Sequence, residues 1–474
     1  MVFETFEPIF KLLPEVKAPE VKPPIKQRIL WTLLALVIFF IMGKISVIGI
    51  DPSLSAGGQL VQFQQILASN IGTLITVGIG PIVLASIILQ LLSGAKIINM
   101  DLHDPTQRKK FSSMQKILAI ILSFFEAGAF IGFGLLPTSF IVAYPGMAIP
   151  VILQIALGSI VLLYLDEVVS KYGIGSGISL FIAAGVAGNF FWQVFQPVIT
   201  GAGLLNAAAF FNLEGRLFTM INSFLSGQLT SGLEIFIGLF FAILIFMVVV
   251  FAEGMHVNIP ITMVRTGMGG KFPVKLMYVS NMPVILASAL FANIQLWAAI
   301  FSTTPFIGEL TKGLVWATTV PRIAGNFSLV EGIILALFSN GIALETLGFA
   351  LLQAVMFVLV LTVLCVFFGI FWVELGNQGP EAVAGQLTQS GMSVPGFRSD
   401  PRVIRSILDR YIPPITIIGS IFVGLLAGVA DLTLGSLASG TGILLTVGIV
   451  YRLYEELAKE TVLESNVLLK KLAG

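Results

Sequence analysis

Ten long apolar stretches restrict this sequence to folds that cross a membrane. A helix needs about 20 mainly apolar residues to span the hydrocarbon core of a bilayer. Stretches of this kind lie at 29–48, 71–92, 117–144, 147–165, 176–198, 232–252, 283–303, 347–373, 413–431 and 440–454. Only 11% of the 474 residues are charged, well below the share in soluble proteins. The sequence therefore predicts an all-α polytopic membrane protein with ten transmembrane helices.

Lysine and arginine are distributed unequally between the two sides of the predicted spans. If the N-terminus is cytoplasmic, 22 of the 26 lysines and arginines lie in cytoplasmic segments. The four others are Lys44, Arg216, Lys312 and Arg322. Because cytoplasmic loops of membrane proteins carry the excess of basic residues, both termini are predicted to be cytoplasmic.

The predicted spans divide the chain into two halves with short ends. The regions are a cytoplasmic arm at 1–28, a half with spans one to five at 29–231, a half with spans six to ten at 232–460, and a cytoplasmic tail at 461–474. Two long cytoplasmic loops, 255–282 and 375–412, belong to the second half. A glycine-rich turn between alternating segments predicts a hairpin in the first of them.

Two short matches indicate an internal repeat. The second span contains PIVLAS at 81–86, and the seventh contains PVILAS at 283–288. The fifth span begins with GSGISL at 175–180, and the tenth begins with GTGILL at 440–445. These spans are the second and fifth members of two groups of five. Because five is odd, the second group is expected to be inverted in the membrane relative to the first.

Branched aliphatic residues recur at helical spacing inside the matched segments. Ile79 and Val83 are four residues apart, as are Ile178 and Ile182, and the repeat places Ile285 opposite Val83. Residues four apart share one face of a helix. The sequence leaves two interpretations open: the side chains face lipid or an ordinary core, or they converge on an axis between the halves.

The segment before the second span is unusually polar for its place in the chain. Residues 55–70 contain two glycines, four glutamines and one asparagine. Such a segment is a poor lipid-facing helix, but protein or a water-filled cavity can surround it. A surface loop that dips towards the membrane is the alternative interpretation.

Glu126 is the clearest acidic residue deep inside a predicted span. An ionisable residue in a span marks a functional site by default, and a packing role is the alternative.

A secondary transporter with inverted repeats would share the predicted topology, but it normally places several charged groups near the midplane. A purely structural scaffold leaves the polar segment unexplained.

Sequence signatures of catalysis are missing. There is no Gly-x-Ser-x-Gly motif and no nucleotide-binding glycine loop. His103 and His256 fall in different loops, and Cys365 is the single cysteine. We therefore expect no enzymatic activity, no cofactor and no metal site.

Five segments together resemble the SecY family in its archaeal form. They are ASNIGTLITVGIGPIV at 68–83, YLDEVVSKYGIGSGISLFIAAG at 164–185, VSNMPVILASALFANIQLW at 279–297, MSVPGFRSDPRVIRSILDRYIPP at 392–414, and TGILLTVGIVYRLYEEL at 441–457. The resemblance implies the pore subunit of a protein-conducting channel in the cytoplasmic membrane. Such a channel moves polypeptides with signal sequences across the membrane and releases apolar segments sideways into it.

The resemblance also assigns roles inside the channel. A short plug half-helix near 57–69 would close the resting pore, with residues Gly57, Gly58, Leu60, Phe63, Ile66 and Leu67. An apolar ring would form the constriction, with residues Ile79, Val83, Ile178, Ile182, Ile285 and Leu445. A lateral gate would include Glu126 and Asn293, together with Leu84, where some relatives have a threonine.

Partners follow from the same resemblance. The two cytoplasmic loops would dock the translating ribosome, with rRNA phosphates bound by Arg265, Lys271, Arg398, Arg402 and Arg405. A subunit resembling SecE would brace the two halves, and a second small subunit would be peripheral. Nascent polypeptides and the lipid bilayer complete the expected partners.

Overall fold

The structure is a computed structural model of the full chain. It describes residues 14–21, 23–50, 67–94, 105–132, 144–196, 215–260, 262–263, 271–279, 281–301, 305–323, 329–330, 332–333, 344–376, 378–389, 392–393, 401–434 and 439–465. Within these ranges the helices are α1 (Ile25–Met42), α2 (Gly80–Gly94), α3 (Pro105–Gly132), α4 (Ala148–Tyr172), α5 (Gly177–Phe195), α6 (Arg216–Leu225), α7 (Leu229–Glu253), α8 (Met282–Phe301), α9 (Pro305–Thr318), α10 (Leu344–Leu375), α11 (Pro380–Gln389), α12 (Pro401–Leu434) and α13 (Gly440–Ser465). The strands are β1 (His256–Pro260), β2 (Thr262–Met263), β3 (Lys271–Lys275) and β4 (Met392–Ser393).

Each of the ten predicted spans overlaps a helix: α1 to α5, α7, α8, α10, α12 and α13. In the described part of the chain, seven helices are long and apolar enough to cross a membrane. The helices α2 and α8 are apolar but shorter, and α13 is strongly charged in its second half. The ten-helix prediction is therefore confirmed, with two short members at the repeat-matched positions.

The second span begins later than the sequence predicts. Its helix starts at Gly80, and residues 67–79 form buried turns instead. Gly72 and Gly78 adopt left-handed φ angles of 87° and 63°, which interrupt any helix. The Ile79 N–H bonds to the Leu67 carbonyl at 3.0 Å, so these turns satisfy part of their own backbone. The prediction of a helix from residue 71 was wrong for this reason.

The described residues form two compact units. Unit 1 takes them from Met1–Gly188, Ala292–Thr311 and Ile449–Gly474, and unit 2 takes them from Asn189–Phe291 and Lys312–Gly448. In unit 1, α3 packs between α2 and α4, and α1 also packs on α4. In unit 2, α10 and α12 form the most extensive helix pair.

Ion pairs fasten one end of unit 1. Arg28 forms an ion pair with Glu460 of α13, and its Nε donates to the Gly173 carbonyl at 2.8 Å. Glu167 accepts from both Lys116 and Lys171 at 2.8 Å. These contacts join α1, α3, α4 and α13 at one end of the unit.

The long loops of unit 2 pack on α12. Strand β1 pairs antiparallel with β3, with Val257 opposite Val274, which confirms the predicted hairpin. Strand β2 pairs with β4, so the two loops also meet each other. Buried Val274, Leu387 and Ile404 belong to the apolar cluster beneath them. The Tyr278 hydroxyl donates to the Gln378 carbonyl at 2.6 Å, and burial raises the pKa of Tyr278 to about 12.

Candidate functional site

The two short helices begin in the same way. Each starts one residue before its matched proline, at Gly80-Pro81 in α2 and at Met282-Pro283 in α8. Proline is well suited to the first turn of a helix because its missing N–H would be unsatisfied there anyway. The proline register makes Val83 equivalent to Ile285, as the repeat predicts.

A close backbone approach precedes both short helices. The Leu74 carbonyl lies against Gly158 of α4, and the Leu276 carbonyl lies against Gly419 of α12. A Cβ at Gly419 would be 2.5 Å from the Leu276 oxygen, and a Cβ at Gly158 would overlap the Leu74 oxygen still more. Both leucines are seven residues before the matched proline, so the repeat extends to tertiary contacts.

Aspartates hold the starts of α5 and α13. Asp166 of α4 accepts from the Ile178 N–H at 2.9 Å, and Gly177 and Ser176 also donate to it. Asp431 of α12 accepts from the Thr441 N–H at 2.9 Å and from the Ser439 hydroxyl at 3.1 Å. The Thr441 hydroxyl donates to the same carboxylate. Each carboxylate thus satisfies N–H groups that a helix start would otherwise leave unpaired.

At the capped helix starts, equivalent positions of α5 and α13 are shifted by two residues from the letter match, although Asp166 and Asp431 keep its spacing. The letter match aligns residue 175 with 440, but the capped turns align Gly177 with Gly440. Short apolar segments can be aligned in more than one register, whereas the hydrogen bonds of a capped turn identify the equivalent residues at the helix start. In the register of the helix starts Ile182 is equivalent to Leu445, so four of the six predicted ring residues form two equivalent pairs.

The predicted ring residues are buried inside their units with one partial exception. Ile79, Val83 and Ile182 are buried in unit 1, where Ile178 is partly exposed. Ile285 and Leu445 are buried in unit 2. Burial excludes the lipid-facing interpretation for these five side chains.

The predicted gate residues are also buried, and all three belong to unit 1. Leu84 is in α2, Glu126 in α3 and Asn293 in α8. A Cβ at Gly80 would be 3.0 Å from Glu126 Oε2, so the glycine leaves room for the carboxyl group. Neither oxygen of Glu126 has a hydrogen-bond partner in the part of the chain that the structure describes. Burying a carboxyl group without a partner is costly, and the functional role of Glu126 stays a prediction beside the packing role.

Among the predicted plug residues only Leu67 is described, and it is buried. The others, Gly57, Gly58, Leu60, Phe63 and Ile66, lie outside the described residues, as do Arg265 and Arg398. Lys271 lies in β3 opposite Pro260. Arg402 and Arg405 are exposed on α12, and Arg405 also pairs with Glu381 of α11 at 3.2 Å.

Sequence reasoning missed Asp166, Asp431, Gly158, Gly419 and Asn281. Asn281 is buried and donates from Nδ2 to the Leu445 carbonyl at 3.4 Å. An aspartate late in one span, followed about ten residues later by Ser-Gly at the start of the next, was the signal available for the caps. The glycine contacts had no local signal.

These features define a polytopic helical membrane protein with short, proline-started helices and buried aliphatic residues at matched positions of an internal repeat. The family model SecY matches residues 73–454. The protein translocase subunit SecY of Methanothermobacter thermautotrophicus is 42% identical over 99% of both chains. The chain belongs to the SecY family.

Solved structures agree over nearly the whole length. A structure described as a protein conducting channel matches 96% of this chain and 97% of its own, with a TM-score of 0.80 and 41% identity. A second, on the plug domain of SecY and the closed state of the channel, has a TM-score of 0.78 at 40% identity, again over 96% and 97% of the two chains. Sec61 in the canine ribosome-channel complex has a TM-score of 0.77 at 39% identity and the same coverage.

Proposed function

We propose that this chain is the pore-forming subunit of a protein-conducting channel in the cytoplasmic membrane, with both termini in the cytoplasm. The observation that carries the proposal is the similarity to SecY translocase subunits over 99% of the chain. The 22 lysines and arginines assigned to the cytoplasmic side support the orientation. The channel serves polypeptides with signal sequences.

The constriction consists of Ile79, Val83, Ile178, Ile182, Ile285 and Leu445. A narrow, dry aliphatic constriction offers ions nothing to replace their hydration shell, so it resists leakage. Apolar contacts are non-directional, so the same side chains tolerate a passing chain of any sequence. The plug near 57–69, which includes buried Leu67, adds a second barrier in the resting state.

Apolar segments of a substrate leave sideways through a gate that includes Leu84, Glu126 and Asn293. A helix of about 20 apolar residues prefers lipid to the channel interior, so partitioning drives this exit. Glu126, without hydrogen-bond partners among the described residues, is available to the entering signal helix or to the partner helix of the gate.

The ribosome supplies the driving force by docking on the two cytoplasmic loops. Arg265, Lys271, Arg398, Arg402 and Arg405 bind rRNA phosphates. Exposed Arg402 and Arg405 on α12, and the pairing of β2 with β4 between the loops, support one continuous docking surface. A SecE-like subunit and a small peripheral subunit complete the assembly.

The test is disulfide cross-linking of a stalled secretory chain that carries one cysteine. The channel variant is Ile285→Cys in a Cys365→Ser background, and the control is Phe240→Cys, which is exposed on the α7 surface. We expect a cross-link at 285 that requires a functional signal sequence, and none at 240. Absence of cross-linking at 285 for every chain length, despite ribosome binding, would favour a small-solute transporter.

A further inference from the structure

The helix α6 carries its apolar side outwards. Leu225 is 82% exposed and Ile221, one turn earlier, is 46% exposed, whereas polar Ser223 is only 7% exposed. A helix on the surface of a soluble protein has the opposite arrangement, with its apolar stripe inside. The exposed apolar side of α6 therefore indicates surroundings other than water alone.

A polar strip and an apolar strip run along α6. The polar strip extends from Ser223, which packs towards the protein, to exposed Thr219, one turn earlier, and exposed Asn222. Ile221 and Leu225 form an apolar strip beside the polar one. An apolar and a polar strip, both exposed and side by side, are typical of a helix that lies in the plane of a membrane interface.

A tight turn fixes α6 to the end of the membrane helix α7. The Gln228 N–H bonds to the Ser223 carbonyl at 2.9 Å, and Gly227 has a left-handed φ of 77°. The Phe224 ring lies 3.1 Å from the Cβ position of Gly232 in α7. Gly232 thus lets α6 fold closely against the first turns of α7.

The apolar strip of α6 is continuous with the exposed apolar surface of α7. Leu229, the first residue of α7 and four residues after Leu225, is 62% exposed, and exposed Phe236 and Phe240 follow on the same side of α7. Because α7 is one of the helices that cross the membrane, Phe236 and Phe240 face lipid. The protein surface that contacts lipid on α7 therefore continues around the turn onto α6.

We infer that α6 lies in the interfacial layer of the bilayer, with Ile221 and Leu225 among the upper acyl chains and Thr219 and Asn222 among the headgroups. The occupant of its apolar strip is lipid. In the proposed topology this is the outer leaflet, where α6 fixes the depth of α7. The inference about contact with lipid does not depend on the transport activity.

The test uses single cysteines labelled with an environment-sensitive fluorophore in the Cys365→Ser protein, reconstituted as the full chain into phosphatidylcholine vesicles. The variants are Leu225→Cys and Asn222→Cys on α6, and Phe240→Cys on α7. Vesicles contain a nitroxide lipid labelled either near the headgroup or near the acyl-chain end, and iodide is the aqueous quencher.

We expect the label at 225 to lose more fluorescence with the shallow nitroxide than with the deep one, and to resist iodide. The label at 240 should show the reverse depth preference, and the label at 222 should be quenched by iodide. Quenching of 225 by iodide as strong as that of 222 would overturn the inference in favour of water. Protection of 225 from iodide and from both lipids would overturn it in favour of a protein cover, either residues 197–214 or another subunit.

Discussion

The two repeat halves differ at the positions that precede their equivalent ring residues. In unit 1 these positions are Ile79 and Ile178, and in unit 2 they are Asn281 and Thr441. Asn281 donates to the Leu445 carbonyl, and Thr441 donates to Asp431. The first half thus presents aliphatic side chains where the second half forms hydrogen bonds within itself. This explains why the two segments of the first half, residues 79–83 and α5, each supply two predicted ring residues, whereas α8 and α13 each supply one.

The repeat therefore preserves these backbone contacts more strictly than the side chains beside them. Both halves keep the leucine carbonyl against a glycine and the aspartate at a helix start. The matched positions Ile79/Asn281 and Ile178/Thr441 are apolar in the first half and polar in the second. Four experiments test this difference between the halves.

The largest effect is expected at the glycine contacts. Gly158→Ala should lower the free energy of unfolding by more than about 3 kcal/mol, because overpacking here meets a backbone carbonyl that cannot rotate away. Gly419→Ala, with a less severe overlap, should lower it by about 2 kcal/mol. Reversible unfolding in mixed micelles measures both values. Gly128→Ala, which meets nothing within 4 Å, is the matched control, and losses equal to that control would refute the contact.

The aspartate caps should come next. Asp431→Ala is expected to cost about 3 kcal/mol and Asp166→Ala about 2 kcal/mol, because buried N–H groups lose their acceptor and Asp431 also loses the Thr441 hydroxyl. Asp431→Asn keeps one acceptor oxygen and should recover part of the loss. Equal losses at the two sites would show that the additional hydroxyl contributes nothing.

Ile178→Thr gives the first half the residue type that the second half has at the matched position, Thr441. We expect a loss of about 1 kcal/mol in stability from the smaller apolar side chain. We also expect a higher resting ion leak, measured as single-channel conductance in planar bilayers, because a hydroxyl eases hydration of the constriction. An unchanged leak, with translocation intact, would remove Ile178 from the ring.

The smallest effect is expected for Thr441→Val, which keeps the shape but removes the hydroxyl. Loss of this one hydrogen bond should cost about 1 kcal/mol. The same substitution in the Asp431→Ala background should cost almost nothing, because its partner is already missing. Additive losses in this double-mutant cycle would contradict the bond.

The class of protein, the ten spans, the two groups of five and the aliphatic ring candidates could all be predicted from the sequence alone. These predictions depend on hydrophobicity and on helical spacing, which are local properties that can be read directly from the sequence. The positions of Pro81 and Pro283 also gave the correct repeat register for α2 and α8, because a proline marks a helix start.

Three features could be seen only in the tertiary structure: the start of α2 at Gly80, the equivalence of the helix starts of α5 and α13, and the outward apolar strip of α6. Each depends on contacts between segments that are distant in the chain or that have no periodic signal. Gly158 and Leu74 are 84 residues apart, and no sequence pattern near either residue predicts their contact. The capping aspartates belong to a different helix from the N–H groups they satisfy, so their role follows from the fold and not from the local pattern.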